Sequence, residues 1–222
     1  VAERIGVLGG TFDPVHRGHL EAARQVRRQL GLDRVLLVPA ANPPHRRGTV
    51  ASAADRLAMV EAAVAGLSGL EASGVEVARG GVSYTVDTLR ELAGLHPGAE
   101  LFLLLGWDAA RDLPTWREPD EVAALSHLVV FNRRGAAGQA PTGGDDSGAA
   151  GAGEPPSAEA LIAAGLPAAA VVLHVDSPEV SATALRAELA AGGDGGDALP
   201  ASVLRLIRER HLYSGTAQAP VS

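Results

Sequence analysis

Cysteine is absent from the 222-residue chain, which excludes disulfides and thiolate metal sites and is compatible with a reducing compartment. Lysine is absent too, and all 19 basic residues are arginine. A Walker A loop needs its lysine to reach nucleotide phosphates and a Schiff-base enzyme needs an amine, so two large enzyme classes drop out. No apolar run approaches the ~20 residues that span a bilayer. The first residues pass directly into a short apolar run rather than a secretory leader, so a soluble, cytoplasmic protein without membrane attachment is expected. Positive charge is in deficit, with 26 acidic residues and a net charge of -7. Broad electrostatic binding to nucleic acid or anionic membrane is therefore disfavoured, and an anionic ligand must be held locally. Aromatic residues are scarce, which makes their placement informative. Phe12, Tyr84, Trp107 and Trp116 fall beside other chemical signals, whereas Phe102 and Phe131 sit in apolar runs that read as strand core.

What the chain does carry is concentrated in residues 9–20, Gly-Gly-Thr-Phe-Asp-Pro-Val-His-Arg-Gly-His-Leu. Residues 5–8 before it are short and apolar enough for a buried strand, and residues 20–30 after it repeat their apolar positions at helical spacing. The pattern predicts a strand, a glycine turn and a helix start. His16 and His19 flank Gly18 where the N–H groups of a first helical turn gather, a position suited to phosphate. Imidazoles and a helix N-terminus supply positive potential without lysine, while Gly9, Gly10 and Gly18 allow close approach to the backbone. A polyphosphate fits there better than a neutral ligand. Two other readings stay open: histidines that only cap the helix or fill core hydrogen bonds, and a metal site from Asp13, His16 and His19. The metal site ranks below phosphate because no cysteine and no fourth ligand stand near.

Further along, strands and helices alternate. Residues 35–40 read as a second buried strand, followed at its carboxyl end by Asn42-Pro43-Pro44-His45-Arg46-Arg47-Gly48, where open parallel sheets bind ligands. Residues 52–67 read as an amphipathic helix capped by Ser52, with no chemistry of its own. Residues 74–78 read as a short strand, and Ser83 to Leu89 open a helix that runs to Leu95. Residues 101–105 form a continuous apolar strand ending in Gly106-Trp107-Asp108, and Leu113-Pro114-Thr115-Trp116-Arg117 leads to a helix over 120–125. After a strand over 127–132, residues 135–156 are mostly Gly, Ala, Pro and small polar residues, too few apolar side chains to offset ordering entropy. They read as a mobile surface insertion, not an interdomain linker, because residues 170–175 form one more apolar strand that needs the same sheet. Ser181 and Thr183 can cap a further helix with Arg186 on its first turns. A flexible turn over 192–197 precedes a closing amphipathic helix over 200–213. One domain over 1–213 and a tail over 214–222 are expected.

The stretch Gly-Thr-Phe-Asp-Pro-x-His-x-Gly-His, residues 10–19, resembles the signature of the H-x-G-H nucleotidyltransferases, a superfamily with a Rossmann-like fold. The class implied is α/β, a mostly parallel sheet with helices on both faces. Five further stretches resemble the bacterial nicotinate mononucleotide adenylyltransferases within that superfamily. Pro43-Pro44-His45-Arg46 is similar to their substrate-phosphate loop, where lysine commonly follows the histidine; arginine can fork two hydrogen bonds to phosphate in its place. Ser83-Tyr84-Thr85-Val86-Asp87-Thr88-Leu89 matches a motif that the superfamily relatives do not share. Gly106-x-Asp108 is similar to the strand end beside ATP, and Leu113-Pro114-x-Trp116 to part of the nicotinate pocket. Val180-Ser181-Ala182-Thr183-Ala184-Leu185-Arg186 resembles the second signature, Ile-Ser-Ser-Thr-x-Ile-Arg, with Ala182 at its second serine.

The resemblance implies transfer of AMP from ATP to nicotinate mononucleotide, giving nicotinate adenine dinucleotide and pyrophosphate in NAD biosynthesis, without a protein nucleophile. It implies His16, His19 and Arg186 at the reacting phosphates. ATP contacts are expected from Gly9, Gly10, Thr11, Phe12, Gly18, Gly106, Asp108, Ser181 and Thr183, and mononucleotide contacts from Asn42, His45, Arg46, Tyr84, Thr85, Trp116 and Arg117. Mg2+ is expected to be held mainly by the ATP phosphates and water. The two nucleotides are the expected partners, with no nucleic acid and no membrane, and oligomeric state is not legible. An enzyme acting on nicotinamide mononucleotide or another phosphorylated acceptor ranks second. A Rossmann dinucleotide-binding module is the alternative of another class. Against it, the turn lacks G-x-G-x-x-G spacing, and Asn42 with two prolines stands where an acidic residue should end the second strand.

Overall fold

In the computed structural model, residues 1–43, 49–133, 157, 161, 163–167, 169–178 and 180–214 are described. The apolar runs become the strands β1 (Arg4–Gly10), β2 (Arg34–Pro39), β3 (Leu70–Ala72), β4 (Glu100–Gly106), β5 (His127–Arg133) and β6 (Val171–Val175). They form one sheet in the order β3-β2-β1-β4-β5-β6, and every pairing is parallel. Alternation of side chains explains why the runs are apolar throughout. Val35 and Leu37 of β2, with Phe102 and Leu104 of β4, face one core, whereas Leu36 and Val38, with Leu101, Leu103 and Leu105, face the other. A sheet covered on both faces needs apolar side chains at both phases of the period-2 pattern.

On the first face pack α1 (Arg17–Leu30), α2 (Ala53–Val64), α7 (Ala182–Ala190) and α8 (Ala201–Glu209), through residues such as Ala22, Val26, Met59, Leu185 and Ile207. On the second pack α3 (Val75–Arg79), α4 (Thr85–Leu95), α5 (Trp107–Asp112) and α6 (Pro119–Leu125), through Val86, Leu89, Ala110 and Val122. The expected α/β class, parallel sheet and two-sided helices are all present. Among the described residues, no helix is long and apolar enough to cross a membrane.

Helix α1 begins at Arg17, with His16 as its N-cap, and closes at Gly31 (φ 61°), so both histidines stand at the helix start as expected. Two boundaries differ from expectation. Residues 74–78 are not a strand: Val75–Arg79 is a short helix ending at Gly80 (φ 68°). The strand in this region is Leu70–Ala72, which already pairs with Val35–Leu37 and forms the sheet edge. The last helix stops at Glu209 and the chain turns back, with His211 at φ 53° and Tyr213 at φ 61°. The compositionally biased segment read over 135–156, with the tail beyond Ser214, lies outside the described residues.

Candidate active site

Strands β1 and β4 are neighbours, yet from β1 the chain moves outward to β2 and from β4 it moves outward the other way to β5. Helices leaving such a pair go to opposite faces, and a crevice opens between their carboxyl ends. The cleft is there. Its walls include Gly9, Gly10, Thr11 and His19 from the β1 turn and α1, Gly106 from the end of β4, and Tyr84, Thr85, Trp116 and Arg117 from the opposite wall. A Cβ added at Gly9 would meet nothing within 4 Å, so the glycine leaves the backbone open to a ligand.

The two histidines form one unit. Their rings stack with centroids 3.6 Å apart, and the Phe12 ring meets His19 edge-on at 5.0 Å. The His16 backbone N–H donates to His19 Nδ1 at 3.2 Å. Since Nδ1 accepts, the neutral imidazole carries its proton on Nε2, a nitrogen able to donate to a phosphate oxygen. Both rings are buried, His16 at 0% and His19 at 6% exposure. Phe12 holds φ 53° and is itself buried, and its ring covers Gly10, where an added Cβ would approach it to 3.1 Å. Phe12 therefore fixes His19 and the turn from within the core, and it does not line the cleft.

The second signature comes to the first. Arg186, on α7, donates from Nη1 to the Asp13 carbonyl at 2.7 Å and from Nη2 to Thr183 Oγ1 at 3.0 Å. Ser181 caps α7, its hydroxyl accepting the Ala184 N–H at 3.2 Å, as its residue type predicts. Ala182, at the place of a serine in the second signature, is fully buried. Asp13 is not a metal ligand in waiting. Its carboxylate accepts the Val50 N–H at 2.7 Å, the Ala51 N–H at 3.1 Å and the Tyr213 hydroxyl at 2.6 Å. Among the described residues, no group of three His, Cys, Asp or Glu side chains could hold a metal ion.

At the other end of the cleft, Ser83 ties two loops together: its hydroxyl accepts the Ala41 N–H at 2.8 Å and its N–H donates to the Asn42 carbonyl at 3.0 Å. Asn42 is thereby bound through its backbone, and the cleft wall is made by Ala40 and Pro43 beside it. Thr85 opens α4, so it stands where first-turn N–H groups lack helical acceptors. Trp116 follows the tight turn Leu113–Thr115, which Leu113, buried at 3% exposure, anchors in the core. The Arg117 guanidinium lies 4.8 Å from the Tyr84 ring centroid; its Nε donates to Glu118 at 3.1 Å and its Nη1 is 3.7 Å from Asp87. Its charge is shared with two acids before any ligand arrives.

Some expected contacts are placed elsewhere. A Cβ at Gly18 would lie 3.0 Å from the Pro178 carbonyl oxygen and 3.1 Å from the His16 ring, so this glycine serves close packing rather than ligand approach. Asp108 lies in the first turn of α5 and pairs with Arg111 at 2.6 Å. His45 and Arg46 lie outside the described residues.

Two residues that composition and motif did not reveal stand against the cleft. Arg56, fully buried, donates to the carbonyls of Thr11 (2.8 Å), Ala41 (3.1 Å) and Ala51 (3.3 Å), joining the loops after β1 and β2 to the start of α2. Its signal was available: it falls in register with Met59, Val60 and Ala63 on the apolar face of its helix, where an arginine must find partners. Glu76 lines the cleft from α3 and accepts the Thr88 hydroxyl at 2.6 Å. Arg79 donates to the same hydroxyl oxygen at 3.0 Å and also pairs with Glu91. Burial pushes the Glu76 carboxyl above its ordinary range, more than these hydrogen bonds and the Arg79 charge lower it.

The cytidylyltransferase-like family profile matches residues 7–188. A relative from Pseudomonas syringae pv. tomato is 44% identical over 212 residues, covering 95% of this chain and 93% of its own length. One from Gloeobacter violaceus is 41% identical over 221 residues, covering 99% of this chain and 100% of its own. Both bear the name "Probable nicotinate-nucleotide adenylyltransferase". Among solved structures, Plasmodium falciparum nicotinic acid mononucleotide adenylyltransferase complexed with NaAD superposes with a TM-score of 0.70 at 16% identity, over 95% of this chain and 97% of that one. That likeness is one of fold.

Proposed function

The chain belongs to the cytidylyltransferase-like family and, within it, to the nicotinate-nucleotide adenylyltransferases, and from that premise we propose that its cleft joins ATP to nicotinate mononucleotide, giving nicotinate adenine dinucleotide and pyrophosphate. The observation that carries this assignment to the cleft is the arrangement of one wall for phosphate, the β1 turn with His19, against another for an aromatic ring, Tyr84 with Trp116.

In this reaction one bond forms, from a phosphate oxygen of the mononucleotide to the α-phosphorus of ATP, and one breaks, from that phosphorus to the pyrophosphate oxygen. Both reactants are anions, so the protein has to align them and offset charge, and no side chain needs to become covalently attached. His19 donates from Nε2 to the α-phosphate, where charge grows in the transition state. His16 holds the plane of that ring by stacking on it and by lending its backbone N–H to Nδ1. The open backbone at Gly9 admits the triphosphate. Arg186, tethered to the Asp13 carbonyl, receives the departing pyrophosphate. Mg2+ carried by the ATP phosphates and water would neutralise phosphate charge. The Trp116 indole packs against the pyridine ring, and the N-terminus of α4 at Thr85 meets the carboxylate.

The test is direct. Protein mixed with ATP, Mg2+ and nicotinate mononucleotide should release one pyrophosphate for each nicotinate adenine dinucleotide formed. No product with this acceptor would overturn the assignment.

A further inference from the structure

The two signatures meet at Asp13, and a residue from neither of them holds that meeting point. Asp13 is 1% exposed. Its Oδ2 accepts the Val50 N–H at 2.7 Å, and its Oδ1 accepts both the Ala51 N–H at 3.1 Å and the Tyr213 hydroxyl at 2.6 Å. Its carbonyl accepts Arg186 Nη1 at 2.7 Å, so a guanidinium and a carboxylate belong to the same few atoms of chain. Resting on the adenylyl-transfer reading of the cleft, we infer that Tyr213 is a positioning residue for the leaving-group end. By occupying Asp13 Oδ1, its hydroxyl keeps that carboxylate from drawing the Arg186 guanidinium off the Asp13 carbonyl and Thr183, the place from which it meets pyrophosphate.

The contact is built into the chain's return. After α8 the Leu212 N–H donates to the Ile207 carbonyl at 2.9 Å and the His211 N–H to Arg208 at 3.3 Å. This is a Schellman turn, with histidine at φ 53° where glycine is usual. Tyr213 follows at φ 61°, and two non-glycine residues in the left-handed region persist only where surrounding contacts offset their strain. The turn delivers the phenol to a carboxylate 200 residues earlier in the chain. There it is 7% exposed, with Met59 Sδ 3.9 Å from its hydroxyl. Burial and the Asp13 charge raise its pKa, so it remains a donor. A neutral donor satisfies the carboxylate without competing for phosphate. Arg56, the other cation near Asp13, is committed to three carbonyls.

Tyr213→Phe removes the hydroxyl and keeps the ring. Titration calorimetry of the full chain with magnesium pyrophosphate should show binding weakened about tenfold, the scale expected when a hydrogen bond to a buried charge is lost. kcat should fall by a similar factor while KM for nicotinate mononucleotide changes less than about twofold, because the acceptor end is untouched. Ser202→Ala is the control. It removes a 2.7 Å hydrogen bond from α8 to the Ala62 carbonyl on α2, so it loosens the same helix but should leave pyrophosphate affinity unchanged. Unchanged pyrophosphate affinity in Tyr213→Phe would overturn the inference, as would an equal loss in Ser202→Ala. Failure of Tyr213→Phe to fold would assign the phenol to stability and overturn it too. The adenylyl-transfer reading fails separately, if the wild-type protein forms no dinucleotide; the pyrophosphate titration decides the role of Tyr213 in either case.

Discussion

His19 is held on three sides, by the His16 ring, by the Phe12 edge and by the N–H that enters its Nδ1, and this leaves Nε2 as the one ring atom defined as a donor. Truncating it removes little core volume but removes the donor proposed to meet the charge that develops on phosphate. His19→Ala should lower kcat by ~100-fold or more, as loss of an oriented donor in such sites does, with an unchanged circular dichroism spectrum. His19→Gln, whose amide nitrogen reaches about as far as Nε2, should recover part of the loss. A fall of less than about tenfold in His19→Ala would remove His19 from the reacting phosphates. The histidine pair was legible in the sequence because its parts are three residues apart beside a glycine. Asp13 was visible only as a candidate ligand, since its true partners lie 37, 38 and 200 residues away and no local pattern encodes them.

Arg56 poses the opposite problem, a cation with no exposure whose three acceptors are all backbone carbonyls. Burial depresses its pKa and the Asp13 charge partly restores it. Arg56→Met fills much of the volume but orphans those carbonyls, so a loss of about 3 kcal/mol is expected. For a chain of this size that is a fall of roughly 6–12 °C in Tm. A loss below about 1 kcal/mol would mean that the carbonyls are satisfied by water instead.

At the scale of elements, the residues 74–78 show where local reading fails. Val75-Glu76-Val77 alternates like a strand, and β-branched residues favour one. The edge it could have joined is already paired by Leu70–Ala72, and a helix lets Glu76 reach Thr88 on α4. Tertiary packing outweighs propensity here, and it places a carboxyl in the cleft wall that composition could not foresee. The cost has a sign that can be measured. Unfolded, Glu76 titrates near its ordinary value of 4.5, and folded it titrates higher because of burial. Between the two, the folded state holds a proton that the unfolded state has lost, so stability falls as pH rises through that window and stays lower above it. Glu76→Gln stays neutral throughout. Melting temperatures of the two proteins should agree near about pH 4 and separate in favour of the variant toward about pH 7. Parallel curves would show that Glu76 does not titrate differently on folding.

At the scale of the whole molecule, the strand order β3-β2-β1-β4-β5-β6 is shared with dinucleotide-binding modules, so the sheet decides where a ligand binds but not which. The alternating apolar runs made the α/β class legible, whereas the meeting of α4, Trp116 and His19 across the crevice depends on β1 lying beside β4, a pairing between strands some ninety residues apart that no local pattern specifies. That juxtaposition bears on acceptor choice. Arg117 is already shared between Glu118 and Asp87, which leaves the start of α4, with the Thr85 hydroxyl and first-turn N–H groups, as the main donor surface for the proposed acceptor among the described residues. A carboxylate only accepts hydrogen bonds and is favoured at a helix N-terminus. A carboxamide presents an N–H2 group to the same donors and leaves it unpaired, at a cost of roughly 1 to 3 kcal/mol. Nicotinate mononucleotide should therefore exceed nicotinamide mononucleotide in kcat/KM by at least ~10-fold, and more where the bond is charge-assisted. Arg117→Ala should reduce that ratio less than Thr85→Val does, because the valine variant loses a hydroxyl from the cleft wall at the start of α4 whereas the arginine's charge is shared with Glu118 and Asp87. Competing the two mononucleotides at equal concentration reads the ratio directly. Equal use would leave only Trp116 stacking in the pocket, which accepts either ring, and would move the specificity away from α4.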